Sequence, residues 1–293
     1  MVKRANPQPL AQLLAWAAAE LGSASPTPRL DAELLMAEAL GGWSRARVLA
    51  EAQHTPTPQQ QAAFERMVQR RAQLEPVAYI IGRREFYGLD FEVTPDTLVP
   101  RPETELLVEL ALAAARRMVR DGARQVDVAD IGTGTGCISV AVAANCTAAR
   151  VLAVDLSAAA LAVAARNVAR HRLGAQVRLA QGDLLGPLGQ PVDLLLSNPP
   201  YTILADIDEN VRRHEPHLAL DGGPDGLDLY RRLLADAPAR LAPGGVVILE
   251  IGDTQGAAVA ALARAAFPGA AVEVYRDLAG LDRVVLVDTG GGR

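Results

Sequence analysis

From Val126 onward the chain alternates short apolar runs with stretches of helical periodicity, and nothing else in it restricts the fold so tightly. Runs at 126–131, 150–155, 176–181, 192–197, 245–251, 271–276 and 283–288 read as strands, with helices between most of them. Strands this rich in Val, Leu and Ile, joined by helices, predict an α/β, doubly wound, mostly parallel seven-stranded sheet. In a sheet of order 3-2-1-4-5 the first and fourth strands are neighbours at the point where strand order reverses. Ligands bind there, beyond the carboxyl ends of the strands. The turns after the first and fourth strands therefore carry the chemistry.

The fourth strand ends in Ser197-Asn198-Pro199-Pro200-Tyr201. The prolines fix φ and lack an N–H, so this turn is stiff and its carbonyls stay out of the ladder. Read as structure alone, it is a Pro-rich exit from a strand. Read as a site, it suits a planar NH₂ group. One hydrogen would go to the Asn198 side-chain oxygen, the other to the Pro199 carbonyl, and Tyr201 would wall the flat group.

The first strand runs into Asp130-Ile131-Gly132-Thr133-Gly134-Thr135-Gly136. Alternate glycines allow a tight turn and close approach of a ligand. A dinucleotide fingerprint is GxGxxG; here the pattern is GxGxG, with Cys137 where the last glycine would stand. A carboxylate at Asp130 would repel a pyrophosphate but attract an α-ammonium group. Asp155 ends the second strand, where an acid accepts ribose hydroxyls. Asp183 follows the third and could take an adenine amino group, with Leu184 against the ring. The set, with the Gly132–Gly136 turn, favours S-adenosylmethionine (SAM) over NAD.

Residues 10–74 read as helices only, a small bundle without catalytic residues, whose Arg66, Arg70 and Arg71 suggest a solvated face. Between Glu75 and Asp96 short β runs at Tyr79–Ile81, Glu85–Tyr87 and Phe91–Val93 suggest a hairpin joining two domains. The expected division is 1–75 helical bundle, 76–96 hairpin linker and 97–293 catalytic domain. The segment Arg101-Pro102-Glu103-Thr104-Glu105 is both a good helix start and a candidate lid, a rigid loop leading into the cofactor site, where it would meet cofactor or substrate.

The net charge of −5 offers no general pull towards nucleic acid or anionic membrane. Cys137 and Cys146 are too far apart along one predicted helix for a disulfide, which suits a reducing, cytoplasmic compartment. The Leu10–Ala19 run is interrupted and helically spaced rather than a signal peptide, and no run is long enough to span a membrane. His214 and His217 flank Glu215, but Pro216 breaks the helix that such ligands would need and no third partner is evident, so no metal is expected.

At this point the chain resembles the protein-(glutamine-N5) methyltransferases of peptide chain release factors, the PrmC/HemK family. The shared signatures are RLDAE (29–33), PVAYIIG (76–82), VPRPETE (99–105), DIGTGTG (130–136), SNPPY (197–201), EPHLALDGG (215–223) and AGLDRVV (279–285). NPPY alone also occurs in DNA adenine methyltransferases; relatives acting on a ribosomal protein look like PRSPI where this chain has PRPET. The resemblance implies a class I SAM-dependent methyltransferase fold with a small N-terminal helical domain. It implies transfer to the glutamine of the Gly-Gly-Gln loop of class-1 release factors, docked partly by that helical domain. Glutamine methylation of a ribosomal protein and N6-adenine methylation of nucleic acid are the alternatives.

Overall fold

The computed structural model describes residues 8–206 and 209–290, which form two compact units meeting in sequence at Gly82–Arg83. The first unit is all helical, with α1 Leu10–Glu20, α2 Pro28–Ala39, α3 Arg45–Ala50, α4 Pro58–Ala72 and α5 Val77–Ile81. Its core gathers Leu10, Leu13, Leu14, Leu35, Met36, Phe64 and Val68. Helix α4 begins at a capping box, in which Thr57 Oγ1 accepts the Gln60 N–H and Gln60 Oε1 accepts the Thr57 N–H.

Two expectations for this region fail. Arg71 is not on a solvated face: it is buried and ion-paired to Asp31 at 2.7 Å. Tyr79–Ile81 is not a strand but most of α5. A short apolar run has no periodicity that separates strand from buried helix, and Gly82, at φ 74°, closes the helix as a left-handed cap.

The second unit opens with an antiparallel hairpin, β1 Arg83–Phe86 and β2 Leu89–Glu92. Tyr87 was expected inside a strand. Instead Tyr87 and Gly88 form the two-residue turn, both with positive φ (53° and 73°), as the twist of a hairpin demands. The rest runs α6 Glu105–Arg120, β3 Val126–Ile131, α7 Cys137–Asn145, β4 Ala149–Asp155, α8 Ala158–Arg170, β5 Val177–Gln181 and β6 Val192–Ser197. It continues with α9 Glu209–His214, α10 Asp228–Arg240, β7 Leu241–Glu250, α11 Gly256–Ala266, β8 Ala271–Arg276 and β9 Asp282–Asp288. Cys146 lies just beyond α7 rather than within it.

The seven strands follow the order β5-β4-β3-β6-β7-β9-β8. They are parallel from β5 to β7, and β9 is antiparallel to both its neighbours. The pleat sends alternate residues to opposite faces. Leu194, Leu196, Val246 and Ile248 join the core under α6 and α7, while Leu195, Val247 and Leu249 join the one under α10 and α11. Burial on both faces is why these strands read as unbroken apolar runs. The fifth strand, read from sequence as 245–251, starts earlier: Pro243–Gly245 form a bulge inside β7, whose pairing already begins at Leu241 opposite Val192.

Strand order reverses between β3 and β6. There Ile131 pairs with Ser197, and the Ser197 hydroxyl donates to the Ile131 carbonyl at 2.7 Å. Gly132 and Asn198 leave the sheet side by side.

Candidate active site

A cleft of about 600 Å³ opens where those two turns leave the sheet. The glycine turn contributes Gly132, Thr133, Gly134 and Thr135 to its lining. The ends of β4 and β5 contribute Asp155, Asp183 and Leu184, and the turn after β6 contributes Asn198 and Pro200. Arg101 and Thr104 close one side from the loop before α6.

The glycine turn is built from beneath. Asp130 is fully buried; its Oδ2 accepts from the Thr133 hydroxyl (2.6 Å), the Ser139 hydroxyl (2.6 Å) and the Ser139 N–H (3.2 Å). Burial pushes its carboxyl up, against those three bonds. Asp130 therefore organises the turn and does not line the cleft, contrary to a direct contact with an α-ammonium group. Gly132, Gly134 and Gly136 all have positive φ, which only glycine adopts freely. A Cβ at Gly132 would stand 4.0 Å from the Asn198 carbonyl oxygen, in the space between the two turns. Gly136 faces away: a Cβ there would meet Ala164 of α8 at 3.2 Å.

Asp155 does line the cleft. Its Oδ2 accepts the Gly134 N–H at 2.8 Å and its Oδ1 the Ser157 N–H at 2.9 Å, so one carboxylate ties the glycine turn to the start of α8. Asp183 forms a half-exposed pair with Arg232, which also lines the cleft. A pair so open to water is held by little energy, and a ligand amino group can displace the guanidinium. Leu184 occupies the left-handed region at φ 45°, a strained conformation at a binding surface that composition did not announce.

At the other turn, Asn198 Nδ2 donates to Thr104 Oγ1 at 3.3 Å. Its Oδ1 accepts no hydrogen bond among the described residues. Pro199 is buried, and its chain neighbours Asn198 and Pro200 line the cleft. Tyr201 was expected as a wall of the cleft. Its ring packs against the core under α10 and α11, and its hydroxyl donates to Glu250 Oε1 at 3.4 Å. Burial beside Glu250 raises the Tyr201 phenol, which keeps it protonated. The Tyr201 carbonyl accepts Gln255 Nε2–H at 3.0 Å, and Gly222 packs so closely beneath that a Cβ would lie 2.8 Å from Tyr201 backbone.

The expected lid divides. Arg101 pairs with buried Glu215 at 2.6 Å, tying the loop before α6 to the segment after α9. Thr104 faces the cleft. Glu105 instead accepts the Tyr87 N–H of the hairpin at 2.8 Å, and Glu103 is exposed. No three His, Cys, Asp or Glu side chains among the described residues are grouped to hold a metal, and His217 Nε2 lies 2.9 Å from the Arg212 carbonyl.

Sequence reasoning passed over Glu250 and Gln255, and it named Glu215 without its ion pair to Arg101. Glu250 had a signal: a carboxylate directly after the buried run Val246–Leu249.

The donor set fits a sulfonium nucleoside. The cleft has the volume for a ligand of that size, and Asp155 and Asp183 present carboxylates along its rim where a phosphate would be repelled.

Residues 12–82 match the family described as PrmC N-terminal domain, and residues 104–214 the methyltransferase small domain. The release factor glutamine methyltransferase of Cereibacter sphaeroides is 46% identical, over 87% of this chain and 89% of its own length. That of Moorella thermoacetica is 44% identical, over 88% and 90%. Among solved structures, a methyltransferase from Pyrococcus furiosus aligns over 71% of this chain and 91% of its own with a TM-score of 0.51 at 22% identity, a likeness of fold. No helix among the described residues is long and apolar enough to cross a membrane.

Proposed function

The chain belongs to the release factor glutamine methyltransferases, and from that premise we propose that its cleft holds the glutamine of a Gly-Gly-Gln loop against SAM. The enzyme is a SAM-dependent protein-glutamine N5-methyltransferase acting on class-1 peptide chain release factors. SAM supplies an electrophilic methyl group on a sulfonium, itself a good leaving group.

The protein's part is positioning. An amide nitrogen is a poor nucleophile because its lone pair is delocalised into the carbonyl. Asn198 Oδ1 and the Pro199 carbonyl each accept one N–H of the glutamine side chain, fixing the plane of the amide and turning its lone pair to the methyl group. Orientation of this kind supplies up to roughly 7–11 kcal/mol. The same two oxygens favour positive charge as it develops on nitrogen, the reverse of an oxyanion hole. The proton released after methylation leaves a strongly acidic protonated amide, which needs no dedicated base. Gly132, Gly134 and Asp155 hold the methionine and ribose portions, with Asp183 and Leu184 at the adenine. Asp130, Thr133, Thr135 and Gly136 keep the turn in shape. Pro200 stiffens the substrate turn, and Tyr201 anchors it from behind through its ring and hydroxyl.

The observation that supports this reading best is the Ile131–Ser197 pair, because the glycine turn and the Asn198 turn leave the sheet side by side from it. Release factor recognition by the N-terminal helices, a cytoplasmic location, and the absence of metal, membrane or nucleic-acid partners belong to the same proposal. Buried free Cys137 and Cys146 suit a reducing compartment.

The test is a labelled-SAM assay offering a release factor, a large-subunit ribosomal protein and DNA in parallel. Label on the release factor alone is expected; label on DNA alone overturns the assignment.

A further inference from the structure

Glu250 ends β7 at 1% exposure, one residue past the Leu249–Ser197 pair, which brings it beside Asn198. A carboxylate after four buried apolar residues is costly to desolvate and calls for a compensating role. Its Oε1 accepts the long bond from the Tyr201 hydroxyl, whereas its Oε2 is buried with no hydrogen-bond partner among the described residues.

The groups facing this carboxyl come from every element around it. Thr104 and Glu103 approach from the turn before α6, Tyr201 from the turn after β6 and Arg283 from β9. Tyr230 of α10 donates to the Glu250 carbonyl at 2.6 Å, and Cys137 of α7 feels its charge. Among the described residues, Thr104 is the one of these groups that is also hydrogen-bonded to the Asn198 side chain. Its Oγ1 accepts Asn198 Nδ2–H, and its hydroxyl favours ionised Glu250 more than Arg283 or Tyr201 does. A hydroxyl has one proton to give. With its oxygen receiving from Asn198, that proton needs an acceptor, and Glu250 Oε2 is the vacant one.

We propose that ionised Glu250, acting through Thr104, fixes which way round the Asn198 carboxamide lies and so serves as a positioning residue for methyl transfer. The inference rests on the reading of Asn198 as acceptor of the substrate amide. When Glu250 is ionised, Thr104 gives its proton to Oε2 and takes Nδ2–H, and Asn198 Oδ1 faces the cleft. When Glu250 is protonated, its O–H donates to Thr104 and Thr104 donates to Asn198 Oδ1. The carboxamide turns over and presents NH₂ to the substrate's NH₂, two donors with nothing to share. Passage to the second state takes up one proton from solvent at Glu250 and reverses the direction of the hydrogen-bond chain; passage back releases it. Burial pushes the Glu250 carboxyl up to about 7, against Thr104, Arg283 and Tyr201, so both states are populated near neutrality.

The experiment measures kcat and KM for a release factor on either side of pH 7, with SAM affinity measured separately by calorimetry. Wild-type kcat should climb with pH along a one-proton limb centred near 7. Glu250→Gln should lower kcat on the order of 10–100-fold, the usual cost of losing a group that orients a working ligand, and erase the limb while SAM affinity holds. Thr104→Val should reproduce that pattern and Thr104→Ser should restore it, which keeps the test available even if Glu250→Gln does not fold. A Glu250→Gln enzyme with normal kcat and an intact limb, or a Thr104→Val enzyme with both, overturns the proposal. If Asn198→Ala is fully active, it is the reading of Asn198 that fails; if it is inactive while Glu250→Gln behaves as wild type, only the role of Glu250 does.

Discussion

Replacing Glu250 by Gln should stabilise the folded chain at alkaline pH by an amount that the burial of its carboxyl sets. The group has an ordinary value of 4.5 and is raised to about 7 in the fold, chiefly by burial. Each unit of difference between folded and unfolded states is about 1.36 kcal/mol. Holding Glu250 ionised well above pH 7 therefore costs roughly 3 kcal/mol. The sign follows from proton counting. Between the two values the folded state binds more protons than the unfolded one, so stability is full at acid pH and falls as pH rises through about 7. Glutamine keeps the size and removes the titration. Whatever fixed offset the new amide brings, the stability difference between variant and wild type should shift by about 3 kcal/mol in the variant's favour from acid to alkaline pH. Urea unfolding of both proteins at the two pH extremes reads this from the midpoints at constant m. Curves that stay parallel across pH would refute the claim that this carboxyl is desolvated at the site. A gain in stability paired with a loss of kcat is what a strained functional group produces.

Three further outcomes follow from the same geometry. Asp155→Ala removes the acceptor of two backbone N–H groups, and charge-assisted bonds are worth roughly 1.5–3 kcal/mol each; calorimetry should show SAM binding at least tenfold weaker, and an unchanged Kd would contradict its place in the cofactor site. Gly222→Ala drives a Cβ to 2.8 Å from the Tyr201 backbone, an overpacking of about 1–3 kcal/mol; kcat should fall more than SAM affinity, since the amide turn moves and the glycine turn does not. Arg101→Ala leaves buried Glu215 without its cation and with only the long Val99 N–H contact of 3.5 Å, at a cost of roughly 1–3 kcal/mol visible as a lower Tm, whereas neutral effects would make the pair ornamental.

The sheet was legible because its strands are buried on both faces, and burial writes itself as unbroken Val, Leu and Ile. The meeting of the two turns was legible too, from the order of strands alone. Direction was not. The residue types at Asp130 and Tyr201 are suited to a ligand, but nothing in a one-dimensional string says that Asp130 turns under its own glycine turn or that the Tyr201 ring turns into the core. Tyr79–Ile81 and Tyr87 failed for a local reason, since a glycine with positive φ just after each decided between helix, turn and strand. Thr104 was noticed for its motif, and its bond to Asn198 became visible only once the loop before α6 had been folded over the turn after β6.

The most direct measurement is mass spectrometry of a release factor after incubation with SAM, comparing wild type with Asn198→Ala at matched cofactor occupancy. Wild type should add one methyl group to the glutamine side-chain nitrogen, and Asn198→Ala should slow that transfer on the order of 10²–10³-fold while binding SAM normally. Near-normal methylation by Asn198→Ala would contradict the claim that the two turns meet in order to hold a carboxamide against a methyl donor.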